Sequence, residues 1–205
     1  MNLIRFYTYI KGRDNKDMKY SRLRLNESGE SKETIYQLLY LAAITSSDSN
    51  TNYKFNMFVS FCRAYFTNLG QLYVLQDGDK TIAFCFVFDK WNGPTGAYHI
   101  HSLSVFKNMR KKGCGRTLLQ IVLSDLNGEP AFLECHKSNV EFFERNGFHI
   151  NHAKSLPYDM HFMYTNSDGS HDSYNGFDMS TISAATEPEL DKRFEILGKK
   201  FGAIK

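Results

Sequence analysis

A chain of 205 residues, 42% hydrophobic and 23% charged, has the size and composition of one soluble globular domain with appendages and is too short for two large domains. A formal net charge of +3 is too small by itself to imply nucleic-acid binding, and no apolar run approaches the roughly 18 residues of a membrane span, so no membrane association is expected. The opening Met1-Asn2-Leu3-Ile4-Arg5-Phe6-Tyr7 lacks the pattern of a secretory leader, which makes a cytoplasmic location the expectation.

Residues 1 to 10 and 19 to 25 read as strands of an opening hairpin across the polar turn 12 to 17. Ile35, Leu38, Leu39, Ala42 and Ala43 form a helical stripe that stops at the polar run 45 to 50, and Phe55, Phe58, Val59, Cys62 and Phe66 form a second. Leu72 to Gln76 and Thr81 to Phe88 are strands joined across Asp77-Gly78-Asp79. In the second of them Ile82, Phe84, Phe86 and Phe88 alternate with Ala83, Cys85 and Val87, so it is apolar on both sides and belongs in the centre of a sheet. Tyr98 to Phe106 is the next strand, followed by a glycine loop and a helix, then a strand from Ala131 to Cys135. A helix from about Ser138 to Asn146 follows, with Ser138 as its candidate cap, and Asp159 to Tyr164 is a final strand. Residues 166 to 176 are polar linker, and 187 to 200 form a short amphipathic helix with Leu190, Phe194 and Leu197 inward, laid back on the domain or used as a homodimer contact or an acceptor-gripping arm. The four cysteines, at 62, 85, 114 and 135, lack Cys-x-x-Cys spacing and read as reduced core thiols, without disulfide or metal.

The most informative stretch runs from His101-Ser102-Leu103-Ser104-Val105 through Arg110-Lys111-Lys112-Gly113-Cys114-Gly115-Arg116. An apolar strand, a basic glycine loop and a helix carrying Leu118, Leu119, Val122, Leu123 and Leu126 follow in direct succession. Glycines allow left-handed backbone and close approach, and the unpaired amides of a first helical turn point toward an anion. Lys107, Arg110, Lys111, Lys112 and Arg116 add charge, which fits a pyrophosphate on an elongated cofactor better than a polyanion. Neither the nucleotide P-loop pattern nor the dinucleotide Gly-x-Gly-x-x-Gly is present.

Leu103, Val105, Arg110, Gly113 and Gly115 resemble the acetyl-CoA loop of the GCN5-related N-acetyltransferases (GNAT), and Phe142-Phe143-Glu144-Arg145-Asn146-Gly147-Phe148 resembles that family's late helix. The resemblance covers residues 31 to 165 and implies an α/β fold: a mixed, mostly antiparallel central sheet flanked by helices, with an acetyl-CoA groove at a splayed strand pair. On this view residues 1 to 165 are the acetyltransferase domain and 166 to 205 a linker with a short helical extension. The resemblance implies backbone bonds from Leu103, Ser104 and Val105 to the thioester and pantetheine, and pyrophosphate held at Arg110, Lys111, Lys112, Gly113, Cys114, Gly115 and Arg116. Asn139 is placed to bond the pantetheine arm or to cap its helix, and Phe143, counted with the cofactor-binding residues, stands where many relatives carry the tyrosine that serves as proton donor.

The leading candidate for the general base is His101, two residues before Leu103, where the resemblance implies a glutamate in many relatives, with His99 on the same strand and Glu134 on the next as further candidates. Regular alternation places His99 and His101 on one face with Leu103 and Val105. Without the tyrosine hydroxyl, the leaving thiolate takes its proton from water, Tyr158, Tyr164 or Cys135. The function implied is direct acetyl transfer from acetyl-CoA to an amine on a protein, a small molecule or a modified nucleobase. A catalytically weak binding or regulatory protein of the same fold, and a nucleic-acid-directed protein, are the alternatives.

Overall fold

The computed structural model describes residues 8–11, 17–27, 29–46, 51–90, 96–165 and 188–202. Strands β1 (Thr8–Lys11) and β2 (Asp17–Leu23) pair as the expected opening hairpin; the turn proposed at 12 to 17 lies almost wholly outside the described residues, as does the linker at 166 to 176. Helices α1 (Lys32–Thr45) and α2 (Thr51–Phe66) follow, then β3 (Gly70–Asp77), β4 (Lys80–Phe88) and β5 (Tyr98–Val105). A 3₁₀ turn at Lys107–Met109 leads to α3 (Cys114–Asp125) and β6 (Ala131–His136). The chain closes with α4 (Val140–Glu144), β7 (His149–Ser155), β8 (Met160–Tyr164) and α5 (Pro188–Lys200).

The strands form one sheet in the order β1-β2-β3-β4-β5-β6-β8-β7, antiparallel at every neighbour except β5 and β6, which run parallel. This is the mixed, mostly antiparallel α/β architecture expected. The alternation in β4 divides the core as its pattern requires. Phe84, Phe86 and Phe88 pack with α1, α2 and α5 on one face, while Ala83, Cys85 and Val87 pack with α3 and α4 on the other. Phe61 of α2 stacks on Phe86 with centroids 4.5 Å apart, and Leu118, Leu119 and Val122 of α3 are fully buried opposite.

Local rules set the helix ends. Ser31 caps α1 by accepting from the Thr34 amide at 3.1 Å. The late helix departs from its expected form: it is a 3₁₀ turn at Lys137–Asn139 followed by only five α-helical residues, and its cap is the His136 imidazole, accepting from the Ser138 amide, rather than the Ser138 hydroxyl. All four cysteines are free and buried. Leu190, Phe194 and Leu197 of α5 lie in the same apolar cluster as α1 and α2.

Candidate active site

β5 and β6 pair only at Tyr98–Ala131 and His99–Phe132, although β5 continues to Val105 and β6 to His136. The two strands therefore part after His99 and leave an opening in the middle of the sheet. The Phe106 amide donates to the Ile82 carbonyl across β4 (3.1 Å). Because peptide groups alternate along a strand, those of Leu103 and Val105 then face the opening. Polar backbone aimed into a gap between parting strands offers hydrogen-bonding groups suited to a carbonyl and an amide-bearing chain.

One expectation is corrected here. The pairing of β4 with β5 shifts between Phe86–Ser102 and Val87–Ile100, which leaves His101 as the extra residue of a β-bulge. The bulge breaks regular alternation. Leu103 and Val105 pack toward α3, whereas His99 and His101 turn to the opposite face with Ser102 and Ser104, the partners of Phe86 and Phe84. There His101 lies edge-on to Phe88 (4.9 Å), Phe61 (6.0 Å) and His99 (4.9 Å). His99 stacks on Phe132 at 4.5 Å, which puts Phe132 on this face and, two residues on, Glu134 as well. His101 and Glu134 each stand two residues beyond the last β5–β6 pair, on opposite lips of the opening, and the Glu134 side chain is exposed.

Packing against these rings strips solvent from His101, and burial lowers its pKa from 6.5 to about 4, so the imidazole is neutral at pH 7. Folded and unfolded states then bind different numbers of protons only between those values. The stabilising term is fully present above about pH 6.5 and is lost as pH falls toward about 4. We expect the Tm of the wild type to drop more steeply than that of His101→Gln across this window; parallel curves would remove His101 as the cause.

The loop after β5 is held in place from both ends. The Arg110 Nε donates to the Val105 carbonyl (3.1 Å), and the first intrahelical bond of α3 runs from the Thr117 amide to the Gly113 carbonyl (2.9 Å). The amides of Cys114, Gly115 and Arg116 precede that bond and have no acceptor within the helix. The two glycines serve different purposes. Gly113 has φ +86° with open space where a side chain would stand, so its requirement is conformational; a Cβ on Gly115 would lie 3.3 Å from Val105 Cγ2, so its requirement is room. Lys107, Arg110, Lys111, Lys112 and Arg116 are all exposed around this turn, and Lys111 also adopts a positive φ of 63°. Cys114 is buried, and burial raises its thiol pKa despite its place at a helix start, so it is not an activated nucleophile.

Residues 68–150 match the family model described as the acetyltransferase (GNAT) domain. Over that segment the chain is similar to GNAT acetyltransferase domains. No curated protein matches the sequence. Among solved structures, ElaA of Escherichia coli superposes with a TM-score of 0.56 at 14% identity over 72% of this chain and 99% of that one. An acyl-CoA N-acyltransferase from Pseudomonas aeruginosa gives 0.53 at 13% identity over 72% and 99%. A GNAT-family acetyltransferase from Staphylococcus aureus gives 0.51 at 15% over 71% and 98%. At such identities these likenesses concern the fold.

The remaining candidates are dispersed. Phe143 is only 9% exposed and packs edge-on to Phe142 (5.0 Å) and Phe148 (5.8 Å), a core residue rather than a proton donor. Asn139 is exposed and makes no capping bond. Among the substitute acids, Cys135 is buried against Met163 and burial pushes its pKa up to about 11, while Tyr164 is half-buried near His149 on β8. Tyr158 is 89% exposed at the β7–β8 turn, where it and Asp159 both take left-handed φ values. Ser102 was not singled out from sequence, yet it is buried beside His101 on an otherwise phenylalanine-rich face. Among the described residues the neighbouring Ser104 hydroxyl is buried without a hydrogen-bond partner. The signal for Ser102 was there: like Ser104, it interrupts an otherwise apolar central strand. Among the described residues no group of His, Cys, Asp and Glu is arranged to hold a metal, and no helix is long and apolar enough to cross a membrane.

Proposed function

We propose that this chain is an acetyl-CoA-dependent N-acetyltransferase that moves the acetyl group directly to an amine. The observation that carries the reading is the conjunction of an opening lined by the Leu103 and Val105 peptide groups with a basic glycine turn at the start of α3. Acetyl-CoA supplies an activated thioester; in the transfer a carbon–nitrogen bond forms, the carbon–sulfur bond breaks, and the amine proton ends on sulfur or solvent. The Leu103 amide polarises the thioester carbonyl, Val105 and Ser104 hold the pantetheine, and the amides and cations of 110 to 116 hold the pyrophosphate. Asn139 borders the pantetheine arm and Phe143 supports the groove from the core.

On the opposite face, the exposed Glu134 carboxylate draws the acceptor ammonium to the opening, and neutral His101 receives the proton as the amine attacks, directly or through water. With a pKa near 4, His101 is a weak base but remains deprotonated across the neutral range. His99 orients it through their edge contact at 4.9 Å. The acceptor is an amine of a protein, small molecule or modified nucleobase, and the chain acts in the cytoplasm. The buried, hydroxyl-free Phe143 favours one second reading, a binding or regulatory protein that retains the cofactor groove without efficient turnover.

Release of free thiol from acetyl-CoA in the presence of lysine-bearing peptides, polyamines and aminoglycosides separates the two. Turnover that falls about 10²-fold or more in His101→Ala, with unchanged acetyl-CoA affinity, supports the enzyme reading. An unchanged rate returns His101 to a structural role, and acetyl-CoA binding with no acceptor turnover favours the regulatory reading.

A further inference from the structure

The opening between β5 and β6 carries a primary amine of its own. Lys137 directly follows β6, on the lip that bears Glu134, and it is exposed. Its backbone is fixed: the Lys137 amide donates to the Asp159 carbonyl in the β7–β8 turn (2.9 Å), and the next amide, that of Ser138, donates to the His136 imidazole (3.3 Å). The ammonium group, in contrast, has no ion pair, hydrogen bond or ring contact among the described residues.

The register of the two strands gives its height along the opening. Tyr98 pairs with Ala131 and His99 with Phe132. Counted from the second pair, Lys137 is level with Ser104, and the extra residue of the His101 bulge moves that level no farther than Val105. Lys137 therefore stands on the opposite lip, one to two residues or about 3–7 Å past the level of Leu103, whose amide faces the thioester carbonyl in the reading above. A lysine amine rides on a flexible four-carbon stem, which covers an offset of that size.

Other lysines are placed differently. Lys107, Lys111 and Lys112 lie past the end of β5 and around the glycine turn, at the pyrophosphate end of the site, and Lys192 and Lys199 are on α5, which packs with α1 and α2. Lys90 is tied to Glu129, and Lys32 lies over the Tyr36 and Phe66 rings.

We infer that Lys137 is a self-acetylation site, taking the acetyl group from acetyl-CoA bound in the same chain. The inference rests on the acetyltransferase reading above and names an acceptor that the molecule itself carries. The bond from Nζ to the acetyl carbon forms and the carbon–sulfur bond breaks, its electron pair leaving on sulfur. Of the two protons the ammonium gives up, one passes to solvent through His101 or water before attack, and the other ends on the thiol. The product is a neutral amide. Its formation removes a positive charge from the lip that carries Glu134, which strengthens the pull of that carboxylate on a cationic acceptor.

Incubation of the full chain with acetyl-CoA at neutral pH, followed by peptide mass mapping, tests the assignment. One acetyl group is expected on Lys137, appearing at least about a hundredfold faster than on Lys192 or Lys199, because an oriented amine reacts at a far higher effective concentration than one free in solvent. The rate per chain is independent of protein concentration. Lys137→Arg, whose guanidinium stays protonated, binds acetyl-CoA as the wild type does and remains unlabelled over the same time. Equal labelling of Lys137 and the α5 lysines, or labelling of Lys137 that persists in Gly113→Val at the same acetyl-CoA concentration, means reaction with cofactor from solution and overturns the inference. A rate per chain that rises with protein concentration overturns transfer within one chain. Calorimetric binding of acetyl-CoA with no label on Lys137 overturns self-acetylation alone, whereas no binding overturns the cofactor reading and the inference with it.

Discussion

Phe194→Ala is expected to lower the unfolding free energy by about 3–5 kcal/mol, although Phe194 lies far along the chain from the motifs that define the domain. The ring is 5% exposed and meets Tyr40, Phe55 and Phe58 at centroid distances of 5.2, 5.3 and 5.7 Å, so truncation leaves a cavity lined by rings from two other helices. Arg193 reinforces the seat. Its guanidinium lies 4.2 Å from the centroid of the Tyr36 ring and pairs with Glu33 at 2.9 Å. Ile196 on the same helix is 53% exposed, and Ile196→Ala is expected to change stability by no more than about 0.5 kcal/mol. Denaturant unfolding of the two variants measures the contrast. Equal, small effects would mean that α5 rests on the domain without completing its core.

Gly113→Val is expected to weaken acetyl-CoA binding by about a hundredfold or more while the fold survives. At φ +86° a β-branched residue is an outlier, and relief of that strain turns the peptide groups of the loop away from the pyrophosphate. Two lost charge-assisted bonds account for a change of that size. Because the space around Gly113 is open, Gly113→Asn, which tolerates left-handed backbone, is expected to bind within a few-fold of wild type. Gly115 behaves in the opposite way: its limit is the 3.3 Å approach to Val105, so Gly115→Val fails by bulk and Gly115→Asn does not rescue. Calorimetric titration of the four variants distinguishes conformation from space. Normal affinity in Gly113→Val would remove the pyrophosphate from this turn.

Much of this arrangement was legible in the sequence because it rests on local rules. The period-two alternation of Phe84, Phe86 and Phe88 against Ala83, Cys85 and Val87 placed β4 at the centre of the sheet with both faces covered, as it is. Glycines flanked by cations between a strand and an amphipathic helix marked the turn at 110 to 116. What escaped depends on pairing between distant segments. The bulge at His101 arises from the register of β5 against β4, and no feature of His-Ile-His-Ser taken alone shows that alternation breaks there. That one residue moved both histidines to the face opposite Leu103 and Val105. Likewise, the ion pair of Arg22 on β2 with Asp125 at the end of α3 joins residues 103 apart in the chain, a contact no local pattern encodes. The role of Phe143 as core was within reach, since its neighbours Phe142 and Phe148 already form an aromatic cluster in sequence.

The central claim is that the parting of β5 and β6 and the turn before α3 together form an acetyl-CoA site. Calorimetric titration of the wild-type chain with acetyl-CoA, CoA and ATP tests it most directly. Saturable 1:1 binding of acetyl-CoA and CoA with micromolar Kd, and binding of ATP at least tenfold weaker, is the result expected of a site that holds both pantetheine and pyrophosphate, by roughly the free-energy scale of such affinities. No binding of acetyl-CoA, or equal binding of ATP, would contradict it.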